Sequence, residues 1–71
     1  MNKSNKAYVR YLMEINGEQF WKKETMLVNL HFCDYIEVFR AKEKSLIESA
    51  PNYIKETLEI RFPNDEIYTF N

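Results

Sequence analysis

One cysteine, one histidine, one glycine and two prolines are all this 71-residue sequence has of the residues that most often mark small functional domains. A lone cysteine excludes a disulfide within the chain. One histidine with one cysteine cannot supply the four ligands of a structural zinc site. A single glycine leaves no phosphate-cradling loop. No run approaches the roughly 18–20 apolar residues of a membrane helix. The Asn/Lys-rich start has no apolar signal-peptide core, so residues 1–6 read as a disordered terminus. A single thiol without an export signal fits a reducing cytoplasm. An excess of either charge is missing too: 10 basic and 11 acidic residues give a net charge of −1. That is neither the basic footprint of a nucleic-acid binder nor a strongly acidic decoy. Charge is uneven along the chain, however. Residues 1–23 hold five bases and two acids, whereas 34–66 hold eight acids and five bases.

What the chain does have is aromatic and β-branched residues around good turns. Asn16-Gly17 separates two strand-forming runs, Tyr8–Ile15 and Glu18–Glu24. Asn-Gly suits the two positive φ angles of a type I′ turn, which fixes the register of a hairpin. Ile15 then lies opposite Glu18, Met13 opposite Phe20, Leu12 opposite Trp21 and Val9 opposite Glu24. Alternation along the strands puts Val9, Tyr11, Met13, Ile15 and Phe20 on one face. The other face holds Tyr8, Leu12 and Trp21 among Arg10, Glu14, Gln19 and Lys23. The first is an ordinary core face. The second needs a partner: a layer of this chain, a second copy or another protein. Domains this small are marginal and often lean on oligomerisation. Tyr8, Leu12 and Trp21 are therefore expected to form a homodimer contact.

Between Met26 and Ala50, residues Phe32, Ile36, Phe39, Glu43 and Leu46 recur at helical spacing. The spacing predicts a helix from about Asn29, as its cap, to Lys42, with a strand near Leu27–Phe32 as the alternative. A further helical turn is expected after Ser45, because Ser45-Leu-Ile-Glu48 has the form of a capping box. Pro51 ends whatever precedes it. Beyond it, Leu58–Phe62 and Glu66–Phe70 flank the turn composition Pro63-Asn64-Asp65. Pairing Phe62 with Glu66 places Leu58, Ile60, Phe62, Tyr68 and Phe70 on one face, with Ile67 the apolar exception on the other. The fold class expected is α+β: one domain over residues 7–71, a small antiparallel sheet built hairpin–helix–hairpin with one main helix, and homodimeric.

Catalytic signatures are nearly absent. His31 and Cys33 are two apart, which points them to different sides of a helix, and no third residue orients the imidazole. Carboxylate pairs such as Glu14/Glu18 and Glu56/Glu59 lie in strongly polar stretches and read as solvated. The chain is expected not to be an enzyme and to need no cofactor or metal. Tyr8, Tyr11, Phe20 and Trp21 beside Arg10, Lys22 and Lys23 keep open a single-stranded nucleic-acid module, since exposed aromatics next to bases can stack nucleobases. Glu14, Glu18 and Glu24 share the hairpin, however, and core and dimer contacts explain these aromatics more simply, so no direct nucleic-acid partner is expected.

The segment Asp34-Tyr-Ile-Glu-Val-Phe-Arg40 is the most informative. In a helix, Ile36 and Arg40 share a stripe with Glu37 beside them. The plain reading makes Ile36 and Phe39 core and leaves Glu37 and Arg40 in solvent. The alternative is an apolar contact ringed by charge, a common form of interaction patch.

Three stretches, Val9–Gly17, Glu18–Trp21 and Ile36-Glu-Val-Phe39, resemble the short uracil-DNA glycosylase inhibitors of small tailed bacteriophages with protein-primed DNA replication. The resemblance covers about half of the chain. It implies a homodimer that is similar to a DNA decoy in effect. Such a dimer occupies the DNA-binding cleft of the host enzyme and holds the enzyme's apolar intercalating residue in a hydrophobic pocket. It also implies partner contacts on Ile36 and Glu37, the matching positions, and the partner-binding set expected around them is Tyr35, Ile36, Glu37, Phe39 and Arg40. Arg40 stands where the family commonly has tyrosine. The expected setting is the cytoplasm of a bacterial host. A small phage or plasmid accessory protein that binds another host protein is the alternative.

Overall fold

A computed structural model describes residues 5–29 and 34–70. Two long strands, β1 (Lys6–Ile15) and β2 (Glu18–Leu27), form the first hairpin. Asn16 and Gly17 have φ angles of 54° and 82°, as a type I′ turn requires. The register is the expected one: Val9 pairs with Glu24, Leu12 with Trp21, Met13 with Phe20 and Ile15 with Glu18. β1 begins at Lys6, one residue before the expected boundary, and the Asn5 carbonyl accepts from the Val28 N–H.

Helix α1 runs from Tyr35 to Ser49 as one piece, so it does not end at Lys42 as expected. Two further expectations are corrected. The cap is Asp34, not Asn29: its side chain accepts from the Glu37 N–H at 3.1 Å. The Ser45 box starts no new helix either. Buried Leu46 carries α1 straight through it, and the Ser49 hydroxyl bonds back to the Ser45 carbonyl. The helix stops where Pro51 demands, with Ala50 at the C-cap in extended conformation. His31 and Cys33 lie outside the described residues.

The second hairpin pairs β3 (Glu59–Arg61) with β4 (Ile67–Thr69). Ile60 faces Tyr68, and the Phe62 N–H donates to the Glu66 carbonyl, again in the expected register. Asp65, at φ 71°, supplies the left-handed residue that closes this three-residue turn.

Strand order across the antiparallel sheet is β2-β1-β3-β4. β1 is therefore central. β3 covers the Tyr8–Arg10 part of its free edge, and residues 52–54 cover the rest through Glu14 N–H to Asn52 O and Ile54 N–H to Leu12 O. Where the backbone shifts between these partners, the Thr57 hydroxyl accepts from the Leu12 N–H (3.0 Å) and donates to the Ile54 carbonyl (2.7 Å).

The core lies between one sheet face and α1. Ala7, Val9 and Tyr11 of β1 meet Leu58, Ile60, Phe62, Phe39 and Leu46. Polar ties pin the helix across it: the Tyr11 hydroxyl donates to Glu24, whose other oxygen takes Lys42 at 2.9 Å. The Tyr53 hydroxyl likewise donates to Glu43. Ile15 and Phe20 share the core face, as alternation required, but are exposed rather than buried. The hairpin outruns its cover, and the core stops near Met13. Among the described residues, no helix is long and apolar enough to cross a membrane.

Candidate functional site

Two exposed surfaces hold the residues expected to meet a partner. The first is the opening turn and a half of α1. Its aromatic residues face inward. Tyr35 stacks on Phe62 with ring centroids 4.4 Å apart, meets Tyr68 edge-on and accepts from Asn64 Nδ2 at 2.9 Å. Phe39 is buried and meets Phe70 edge-on at 4.9 Å. Phe39 therefore has no free ring for a partner, contrary to expectation, whereas Tyr35 is half-buried and committed on one face to Phe62; both hold the helix in place. Ile36, Glu37 and Arg40 are exposed, Ile36 at 52%. Ile36 and Arg40 are one turn apart on one stripe, with Glu37 next to Ile36. Arg40 forms no ion pair among the described residues, and Glu43, three residues on, is engaged by Tyr53. The result is an apolar side chain between an acid and a base, on backbone fixed by Asp34 and by the stacked aromatics beneath.

The second surface is the sheet face that points away from α1. Alternation brings Tyr8, Arg10 and Leu12 of β1 beside Trp21 and Lys23 of β2, Glu59 and Arg61 of β3, and Ile67 of β4. No described element covers it. Tyr8 is 55% exposed, Trp21 42% and Ile67 56%. Arg10 lies 4.3 Å from the Trp21 ring centroid and forks onto Glu59 at 2.9 and 3.4 Å. Lys23 and Arg61 make no ion pair among the described residues. An open cavity of about 390 Å³ sits here, with Arg10, Lys23 and Arg61, the carboxylates Glu24 and Glu59, and Tyr8, Val9 and Ile67 on its walls.

The expected dimer residues Tyr8, Leu12 and Trp21 are thus brought together on one face without a cover from this chain. Sequence reasoning missed Arg61, and it registered Ile67 only as an exception to a pattern. Only the placement of β3 beside β1 brings Arg61 to Tyr8, and no local signal encodes that pairing. Three converging His, Cys, Asp or Glu side chains, as a metal ion needs, do not occur among the described residues. Comparison with family models, with curated proteins and with solved structures finds no match to this chain.

Proposed function

We propose that this protein is a non-enzymatic inhibitor of a host uracil-DNA glycosylase, acting in the bacterial cytoplasm as a homodimer. The observation that carries the proposal is Ile36. It is half exposed on the first turn of a capped helix, with Glu37 and Arg40 beside it and inward-facing aromatics beneath. A side chain held this way loses little freedom on binding, so its burial converts efficiently into affinity.

A glycosylase extrudes its base with help from an apolar wedge that props the duplex open. On this reading Ile36 lines the pocket that takes the wedge, while Glu37 and Arg40 orient the enzyme's cleft. Inhibition is then steric and needs no chemistry from the inhibitor. The second copy sits either on the uncovered sheet face that carries Tyr8, Leu12 and Trp21, or along the outer edge of β2, which no described strand pairs.

Calorimetric titration into a bacterial uracil-DNA glycosylase tests the proposal. A saturable complex that uracil-containing DNA displaces supports it. Simultaneous binding of this protein and DNA to the enzyme refutes it. Binding to some other host protein with none to the glycosylase would favour the accessory-protein alternative.

A further inference from the structure

We propose that the outer face of the sheet binds single-stranded nucleic acid, with bases stacked on Tyr8 and Trp21 and phosphates held by Lys23 and Arg61. The inference does not use Ile36, which lies across the sheet from this face, but it requires any second copy to pair along the outer edge of β2 instead of covering this face.

Charge on this face favours an anionic occupant. Alternation puts Lys6, Arg10, Lys23 and Arg61 on this face against Glu14 and Glu59. Arg10 lies directly opposite Lys23, a like-charge pair that costs stability. Glu59 answers Arg10 alone. Lys23 and Arg61 reach the same cavity from either side of Arg10 and Tyr8, with no carboxylate on them among the described residues. A phosphate between them supplies the missing anion. A second copy of this face would bring the same basic excess against itself while desolvating it, which is costly. The outer edge of β2 is left for self-association.

The spacing of the rings favours a single strand. Tyr8 and Trp21 sit on neighbouring strands, separated by about four residues or roughly 13 Å along the sheet. Two exposed rings on one sheet face, with a cavity beside them, offer stacking surfaces to successive parts of one strand. Stacking needs free base faces, which single strands have and duplexes lack. The cation–π contact of Arg10 with Trp21 extends the platform without closing it, since the indole stays exposed.

Trp21 is the only tryptophan, so its emission reports on this face alone. The full chain is titrated with short oligo(dT), oligo(U) and a duplex. Saturable quenching by a single strand is expected, with Kd on the order of 10⁻⁵ M at physiological salt. Two phosphate contacts predict a slope of log K against log salt of about −1.4, falling to about −0.7 in Arg61→Ala. Tyr8→Ala should weaken binding roughly tenfold. Lys44→Ala, an exposed change on α1, should leave it unchanged. Equal quenching by DNA and RNA strands supports recognition of stacking and phosphate, and a preference for RNA adds a 2′-hydroxyl contact. Three results overturn the proposal: no quenching by any strand, quenching undiminished in the folded double variant Lys23→Glu/Arg61→Glu, or Trp21 emission that follows protein concentration and a doubled mass instead of oligonucleotide.

Discussion

At the residue scale the site is a matter of which way neighbouring side chains turn. Tyr35 and Phe39 go inward, onto Phe62 and Phe70, and thereby turn Ile36, Glu37 and Arg40 outward. Replacing Glu37 with Ala should keep the fold and reduce inhibition by about 1–2 kcal/mol, roughly tenfold. Unchanged inhibition by that variant would remove Glu37 from the contact. A second residue-scale expectation concerns pH. Hydrogen bonds from Tyr11 and then Lys42 hold the Glu24 carboxyl below its ordinary 4.5. A folded value below the unfolded one means that this contribution is present above about pH 4.5 and is lost as pH falls through the lowered value. Burial, and then Glu24, push the Tyr11 phenol up to about 12 from 10. Stability from that group is full below pH 10 and fades as pH rises from 10 towards 12. Urea unfolding across pH should therefore show a flatter acid limb in Glu24→Gln. The stripe of Ile36, Glu37 and Arg40 was legible in the sequence because helical spacing alone defines it. The inward turn of Tyr35 was not, since it depends on Phe62 and Asn64, 27 and 29 positions away.

At the element scale, local chemistry decided most of the structure. Asn16-Gly17 set one register and Pro63-Asn64-Asp65 the other, because each turn dictates the pairing of its own flanks. Gly17 has open space where a Cβ would stand, so its requirement is purely conformational, at φ 82°. Gly17→Ala should cost about 1–2 kcal/mol, measured by urea unfolding, with no change in the core. Asp34→Ala should cost about 1 kcal/mol by removing the bond to the Glu37 N–H. If inhibition runs through α1, this variant should also lower it, since it loosens the turn that carries Ile36. The helix start was misread at Asn29 because Asn and Asp are equally good caps, and apolar spacing alone did not separate them. Ser45 looked like a new start because a capping box is local, whereas the burial of Leu46 that overrode it is tertiary.

At the scale of the whole molecule, what matters is that one layer of helix covers one face of a four-stranded sheet. The core face of the first hairpin was assigned correctly, but its extent was not. Nothing in the sequence says that α1 and residues 52–54 stop near Met13, leaving Ile15 and Phe20 exposed. Strand order was equally hidden, because pairing β3 with β1 joins residues about fifty positions apart. The uncovered face and the exposed stripe of α1 follow from that architecture, and both proposals start from them. With a net charge of −1, the chain should inhibit mainly through apolar burial. Inhibition should therefore change little with salt, unlike DNA binding by the enzyme, which weakens steeply.

The most direct test is uracil excision from a labelled duplex by a bacterial uracil-DNA glycosylase, titrated with this protein and with Ile36→Asp. Inhibition through Ile36 predicts a stoichiometric block at one dimer per enzyme. It also predicts a loss of about 2 kcal/mol or more in affinity, roughly thirtyfold, for the folded Ile36→Asp variant. Excision that proceeds undisturbed at micromolar excess of the native protein, or inhibition that Ile36→Asp leaves intact, would contradict it.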